Sequence, residues 1–267
     1  MSDFSEVKDR MKFVWAQGHY AEVAKVLWPA AEAIVEASGI GPGMRVLDVA
    51  AGNGNVAVAA ARKGASVVAS DITPELVVQG RERTEAEGLD VEWREADAEE
   101  LPFEDGSFDV VTSAFGAMFA PRADHTAGEL IRVAEPGGKV AVTAWAPDGA
   151  VGRTLAISAK YMPPPPEGVD SPLSWGDEAT VRARFANVAS SVECVARSVP
   201  WRFASLEEDR VWAETNIPPI VVAKQLLPPE TYEQFAADNL ELLEELNTAT
   251  DGSVAYDSEY LLTVATK

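Results

Sequence analysis

Three carboxylates and two glycines carry most of the chemistry legible in this chain. The segment Val46-Leu47-Asp48-Val49-Ala50-Ala51-Gly52-Asn53-Gly54-Asn55 reads as an apolar strand that carries an acid and runs into a glycine loop. Glycines there permit unusual backbone angles and the close approach of a ligand. A helix start follows, and its free N–H groups suit a carboxylate or phosphate. The next strand ends at Asp71, where a carboxylate can accept both hydroxyls of a ribose. A third ends in Glu92-Trp93-Arg94-Glu95-Ala96-Asp97-Ala98-Glu99, with Asp97 placed to receive an adenine amino group. Each acid also has a plainer reading. Asp48 could cap the following turn, Asp71 the helix that begins at Thr73-Pro74, and Asp97 a turn.

Those residues need a frame. Residues 1–40 read as helical, from Val7, Met11 and Val14 and then from Val23, Val26, Leu27 and Ile34 at three- and four-residue spacing. Pro29 is expected to bend or divide the second stretch. From Met44 short apolar runs alternate with amphipathic stretches. The expected strands are 45–50, 66–70, 91–95, 108–113 and 139–145, with helices ending near Lys63 and spanning about 73–87 and 124–135. Such alternation implies a parallel, doubly wound α/β sheet. Beyond it the proline run at 163–166 marks a loop, 178–186 a helix, 192–202 a strand and 259–266 a final strand. Between the last two strands, residues 205–253 form a helical insertion broken by Pro218-Pro219 and Pro228-Pro229. The expected divisions are an N-terminal helical cap (1–40), a core (41–204), the insertion (205–253) and a closing core strand (254–267).

The ordered motifs VLDVAAGNGN, ASD, READAEELPFEDGSFDVVTSAFGAMF and LIRVAEPGGKVAVTAW resemble the class I S-adenosylmethionine (SAM)-dependent methyltransferases. The closest likeness is to the branch that acts on small molecules in ubiquinone and menaquinone biosynthesis. The resemblance covers residues 40–147. It implies a Rossmann-like, seven-strand mixed sheet with the last strand antiparallel, and SAM as cofactor. It also implies that Asp48, Ala50, Gly52 and Gly54 form the methionine-side loop and that Asp71 holds the ribose. Asp97 and Ala98 would bind adenine between apolar walls at Ile72 and Leu101, and Ser113, Ala114 and Phe115 would face the sulfonium. Alanine at position 50 replaces the family's usual first loop glycine, and fits if its φ is negative. A dinucleotide site is disfavoured, because a third glycine is missing and Asp48 puts charge where such folds prefer an apolar strand end.

Methyl transfer needs the two partners held in line and water excluded; a base is needed only when the nucleophile must lose a proton. His125 and His19 are the only histidines, and hence the candidate catalytic bases. Tyr20 is placed to pack on the cofactor; Trp15 could do so too, or could belong to an ordinary apolar helix face. The run Phe115–Phe119, including Met118, suggests an apolar substrate wall. The insertion, with Trp212 and Ile217, suggests either a substrate lid or a packing surface, including a homodimer contact. Ser113-Ala114-Phe115-Gly116 stands where amine methyltransferases of DNA or protein glutamine carry Asn-Pro-Pro-Tyr, which disfavours that chemistry.

Composition narrows the partners. Forty-three acidic against 22 basic residues give a net charge of −21, which opposes binding to a phosphate backbone. The acceptor is therefore expected to be a partly apolar small molecule, not nucleic acid. No stretch is apolar enough for a membrane span, and with Cys194 as the sole cysteine a cytoplasmic setting is expected. No ligand spacing for a metal is present. A SAM-binding protein of the same fold without methyl transfer, its cofactor structural or assisting a rearrangement, is the alternative.

Overall fold

The computed structural model describes residues 4–267, so residues 1–3 of the expected cap lie outside the described residues. The cap consists of two helices, α1 (Ser5–Trp15) and α2 (Tyr20–Ser38), separated by a turn at 16–19. α2 runs through Pro29 as one helix, so the proline does not divide it. An interior proline costs about 3 kcal/mol. The helix buries Val23, Leu27, Ala30, Ala31, Ile34 and Val35 along one face, and that burial holds it together.

Seven strands follow: β1 (Arg45–Val49), β2 (Ser66–Asp71), β3 (Val91–Glu95), β4 (Phe108–Ala114), β5 (Ala134–Trp145), β6 (Ser191–Phe203) and β7 (Val254–Thr266). Their order in the sheet is β3-β2-β1-β4-β5-β7-β6. β1 to β5 are parallel, and β7 is antiparallel to both of its neighbours. Val46, Leu47 and Val49 are fully buried, as a strand covered on both faces requires. The chain steps outward from β1 to β2 and β3, then returns past β1 to β4. Right-handed crossovers therefore put α3 (Asn55–Arg62) and α4 (Pro74–Ala86) on one face and α5 (Ala123–Val133) on the other. The reversal between β1 and β4 opens a crevice beyond the carboxyl ends of these strands.

Other elements differ from the sequence expectation: β5 starts at Ala134, where the helix was expected to continue to 135, and α6 and β7 differ as well. The stretch after β5 contains a helix, α6 (Ala150–Tyr161), which the sequence pattern does not announce. Only Ala150 and Gly152 are buried in it, so its apolar stripe is thin. β7 begins at Val254 rather than at 259. Its polar residues Asp257 and Ser258 hide the pattern, but all thirteen of its residues pair with β6. β5 pairs only with residues 260–266 of β7. The remaining β6–β7 ribbon therefore projects past the ligand end of the sheet, carrying Trp201 opposite Tyr256. α7 (Glu178–Phe185) precedes β6, and α8 (Leu206–Asn216), α9 (Pro218–Leu226) and α10 (Pro229–Leu246) form the insertion before β7.

Trp93 of β3 is wedged between α4 and the glycine loop. Its indole N–H donates to the Thr84 hydroxyl at 3.1 Å. A Cβ on Gly80 would strike its six-membered ring, and one on Gly54 would approach it to 2.8 Å. Gly80→Ala should therefore destabilise the fold by about 1–3 kcal/mol, although alanine favours helix by about 1 kcal/mol. Urea unfolding measures this; an unchanged midpoint would mean that α4 moves outward at no cost.

Candidate active site

Two buried acids organise the ligand end of the sheet. Asp48 is 1% exposed. Its carboxylate accepts the Ala57 N–H at 3.0 Å and the Thr112 hydroxyl at 3.0 Å, which ties β1 to the first turn of α3 and to β4. Burial pushes its pKa up to about 7 against the pull of those hydrogen bonds. Asp71, at the tip of β2, accepts the Gly52 N–H at 2.8 Å and the Thr73 N–H at 2.9 Å. Burial pushes its pKa up to about 6, and the backbone donors oppose the rise.

Ala50 lies in the same loop with φ 51°, in the left-handed region, so the negative φ expected for an alanine there is not what the loop adopts. That conformation costs a non-glycine residue about 1–2 kcal/mol. It is held by the neighbouring Ala51 N–H, which donates to the Ser70 carbonyl at 2.9 Å, and by Gly116 packed on Ala50. An added Cβ on Gly116 would collide with the Ala50 carbonyl. Phe115, just past β4, is likewise left-handed at φ 57°, and its ring stacks on Trp145 at 4.0 Å. Two strained non-glycine residues thus border one crevice, the pattern expected where backbone is shaped for a ligand.

The crevice is a cavity of about 700 Å³ including its open mouth. Ala50, Gly52, Asp71, Ile72, Asp97 and Ala98 line its inner wall, and Phe115, Gly116 and Phe119 one side. Lys8, Met11 and Trp15 of α1, with Tyr20, line it from the cap. The Tyr20 ring lies so near Gly52 that a Cβ there would sit 2.6 Å from it. Burial, then the nearby Asp71 and Asp48, push the Tyr20 hydroxyl well above its ordinary pKa, so it remains protonated. α1 buries no residue of its own. Lys8 anchors it through ion pairs to Asp97 at 2.6 Å and to Glu99 at 2.7 Å. Burial raises the Glu99 carboxyl, but hydrogen bonds from Arg122 and Lys8 outweigh it and hold the group below the usual range.

A second cavity of about 1400 Å³, again including its open mouth, shares Trp15, Tyr20, Phe115 and Phe119 with the first. It lies under α8, α9 and α10, and its far walls come from α6 and the β6–β7 ribbon. Its lining is mostly aliphatic and aromatic.

Residues 46–138 match the family model described as a methyltransferase domain. An uncharacterised protein of Mycobacterium tuberculosis is 40% identical over 258 residues, which is 95% of this chain and 93% of that protein. A demethylmenaquinone methyltransferase of Thermus thermophilus is 41% identical over 117 residues, 42% of this chain and 53% of the enzyme. Among solved structures, phosphoethanolamine N-methyltransferase 2 of Haemonchus contortus, in complex with phosphomonomethylethanolamine and S-adenosylhomocysteine, shares the fold. The TM-score is 0.59 at 20% identity, over 90% of this chain and 52% of that one. The chain belongs to the class I SAM-dependent methyltransferases.

SAM is the cofactor of this methyltransferase. The residues of the smaller cavity fit it. An acid stands at the tip of β2, a second at 97, and the loop beside them is pared to the backbone at Gly52 and Gly116. The other expected site residues of the methyltransferase fall elsewhere. Asp48 and Gly54 lie behind the loop, supporting it, and do not line the cavity. Ser113 is fully buried, and its hydroxyl accepts the Ala117 N–H at 2.9 Å. Met118 is buried in the core beside it, whereas Phe119 lines both cavities. Ile217 lines the larger cavity; Trp212 packs behind it on Trp201 and Phe203. His125 is exposed on α5, its Nε2 2.8 Å from the Glu99 carbonyl oxygen, and lines neither cavity. His19 caps α2 on the outer surface, away from both. Lys8, Met11 and Glu99 had no sequence signal, since their place depends on α1 folding back across the sheet.

The raised Asp71 pKa sets a test of its place in the pocket. To accept ribose hydroxyls the carboxyl must be ionised, and with a free-protein pKa of about 6 it is protonated below that value. Affinity for S-adenosylhomocysteine should be full above pH 7 and weaken by up to about tenfold per unit as pH falls below about 6. Asp71→Asn should remove this dependence and weaken binding by about 1.5–3 kcal/mol at pH 8. Titration calorimetry across pH gives both; a wild-type profile as flat as the variant's would move the ribose elsewhere.

Proposed function

We propose that this methyltransferase transfers the methyl group of SAM to a partly apolar small molecule held in the larger cavity. The observation that carries the proposal is the shared wall: Trp15, Tyr20, Phe115 and Phe119 border the smaller cavity and the apolar one alike. Trp15 meets Tyr20 edge-on at 5.8 Å and Phe119 at 5.0 Å, so the junction is aromatic on several sides. SAM supplies a methyl group on a cationic sulfur. Asp71 would hold its ribose, Asp97 and the Ala98 N–H its adenine, and aromatic faces at the junction suit its positive charge. The net charge of −21 supports a small acceptor over a polyanion.

The chain's own part in the reaction is placement. Helices α8 to α10 would close the acceptor against the junction, exclude water and keep the nucleophile in line, which is where most of the rate gain lies when the cofactor brings the leaving group. Tyr20, kept protonated, can donate a hydrogen bond at the junction but cannot take a proton there. Neither histidine lines either cavity. His125→Ala should accordingly leave kcat within about twofold of wild type, and a loss of a hundredfold or more would restore it as a base.

The test is incubation with methyl-labelled SAM and a library of apolar acceptors, followed by mass spectrometry of the products. Label in an acceptor supports the proposal. Tight binding of SAM with no label leaving it in any mixture would favour a protein that uses the cofactor without transferring methyl.

A further inference from the structure

The larger cavity is mostly apolar, and one of its charged groups is left unmatched. Of the three charged side chains on its wall, two are matched within the protein. Glu214 takes hydrogen bonds from Arg210 at 2.8 Å and from Lys224, and Arg210 also pairs with Glu207 at 2.7 Å. Asp209 is the exception. It sits in the first turns of α8, is 3% exposed, and has one carboxylate oxygen, Oδ2, with no hydrogen-bond partner. The neighbouring Tyr256 hydroxyl favours its ionised form.

A second unmatched group belongs to the lining of the same cavity. The Trp201 indole N–H is buried without an acceptor. Trp201 pairs with Tyr256 across the β6–β7 ribbon, and their rings stack with centroids 6.2 Å apart and planes 5° from parallel. Tyr256 thus neighbours both orphans: its ring lies on Trp201, and its hydroxyl is close enough to Asp209 for the two to shift each other's titration. Trp201, Asp209 and Tyr256 all line the cavity. Buried polar groups are nearly always hydrogen-bonded, and an unmatched acceptor and an unmatched donor on one wall of a ligand-sized space imply that a ligand completes them.

We propose that Asp209, with Trp201, is the polar anchor of the acceptor site, and that the acceptor is an apolar molecule bearing a hydroxyl group. The inference rests on the reading of this cavity as the acceptor site. A hydroxyl both donates and accepts, so it can give its proton to Asp209 Oδ2 and take the Trp201 N–H. An ammonium could satisfy the carboxylate only, and a carboxylate would be repelled by it. Burial pushes the Asp209 pKa up to about 6, so it remains mainly ionised, and hence an acceptor, near neutral pH.

Equilibrium dialysis at about pH 7.5 tests this, with the protein saturated in S-adenosylhomocysteine and four probes of one shape: 2-naphthol, 2-naphthylmethylamine, 2-methylnaphthalene and 2-naphthoate. The wild type should bind 2-naphthol at least about tenfold more tightly than 2-methylnaphthalene, since a site built for a hydroxyl rejects the analogue that lacks one. Asp209→Leu should abolish that preference while its affinity for 2-methylnaphthalene and for S-adenosylhomocysteine is kept. Asp209→Asn, which preserves shape and one acceptor oxygen, should fall between, and serves if the leucine variant does not fold. An unchanged 2-naphthol preference in either variant, a wild-type preference for the amine, or no probe bound by wild type would each overturn the proposal. Loss of S-adenosylhomocysteine binding by the wild type would instead overturn the cofactor reading.

Discussion

The ligand end of this protein is built around two carboxylates that are out of water and yet occupied by hydrogen bonds. Asp48 joins β1, α3 and β4 through the Ala57 N–H and the Thr112 hydroxyl. Asp71 takes the N–H groups of Gly52 and Thr73 and so draws the glycine loop toward β2. Burying a carboxyl is costly, and both acids show it in pKa values raised to about 7 and about 6. Hydrogen bonds to backbone donors offset part of that cost and make the loop's path specific. With the loop fixed, Ala50 can be held in a left-handed conformation against Gly116, and β1 and β4 can end side by side at the crevice.

On that platform the cap and the insertion act as two covers of different kinds. α1 contributes Lys8, Met11 and Trp15 to the smaller cavity but fully buries none of its own residues, so its attachment there rests on the Lys8 ion pairs with Asp97 and Glu99 and on the Trp15 ring contacts with Tyr20 and Phe119. Such attachment belongs to the elements of lowest local stability, from which access to a bound cofactor is commonly regulated. The insertion is larger, and together with α6 and the β6–β7 ribbon it encloses apolar space beside the first cavity. Four aromatic residues stand where the two spaces meet. Both linings are mostly apolar; what sets the smaller space apart is the pair of carboxylates at 71 and 97, which under the proposed function would take the cofactor's hydroxyls and amine.

Much of this was legible in the chain itself. The apolar runs of β1 to β4, the acids at 48, 71 and 97 and the glycines at 52 and 54 announce a doubly wound sheet with a nucleoside-like site, because these signals are local and a buried parallel strand needs near-continuous apolar residues. What depended on contacts distant in sequence was decided only by the tertiary structure. Pro29 stays inside α2 because one helix face is buried against the core. Ala50 is left-handed because Gly116, 66 residues away, leaves room for it. α6 and the start of β7 carry mixed polar and apolar residues, since one side of each faces a cavity instead of a packed core. His125 looked well placed from its position after β4, yet α5 turns it outward onto the Glu99 carbonyl. Asp209 carried no mark in an acid-rich stretch of α8. Its isolation exists only because the insertion folds over the β6–β7 ribbon, and no pattern along the chain can reveal which of 43 acidic residues ends up buried with an oxygen unmatched.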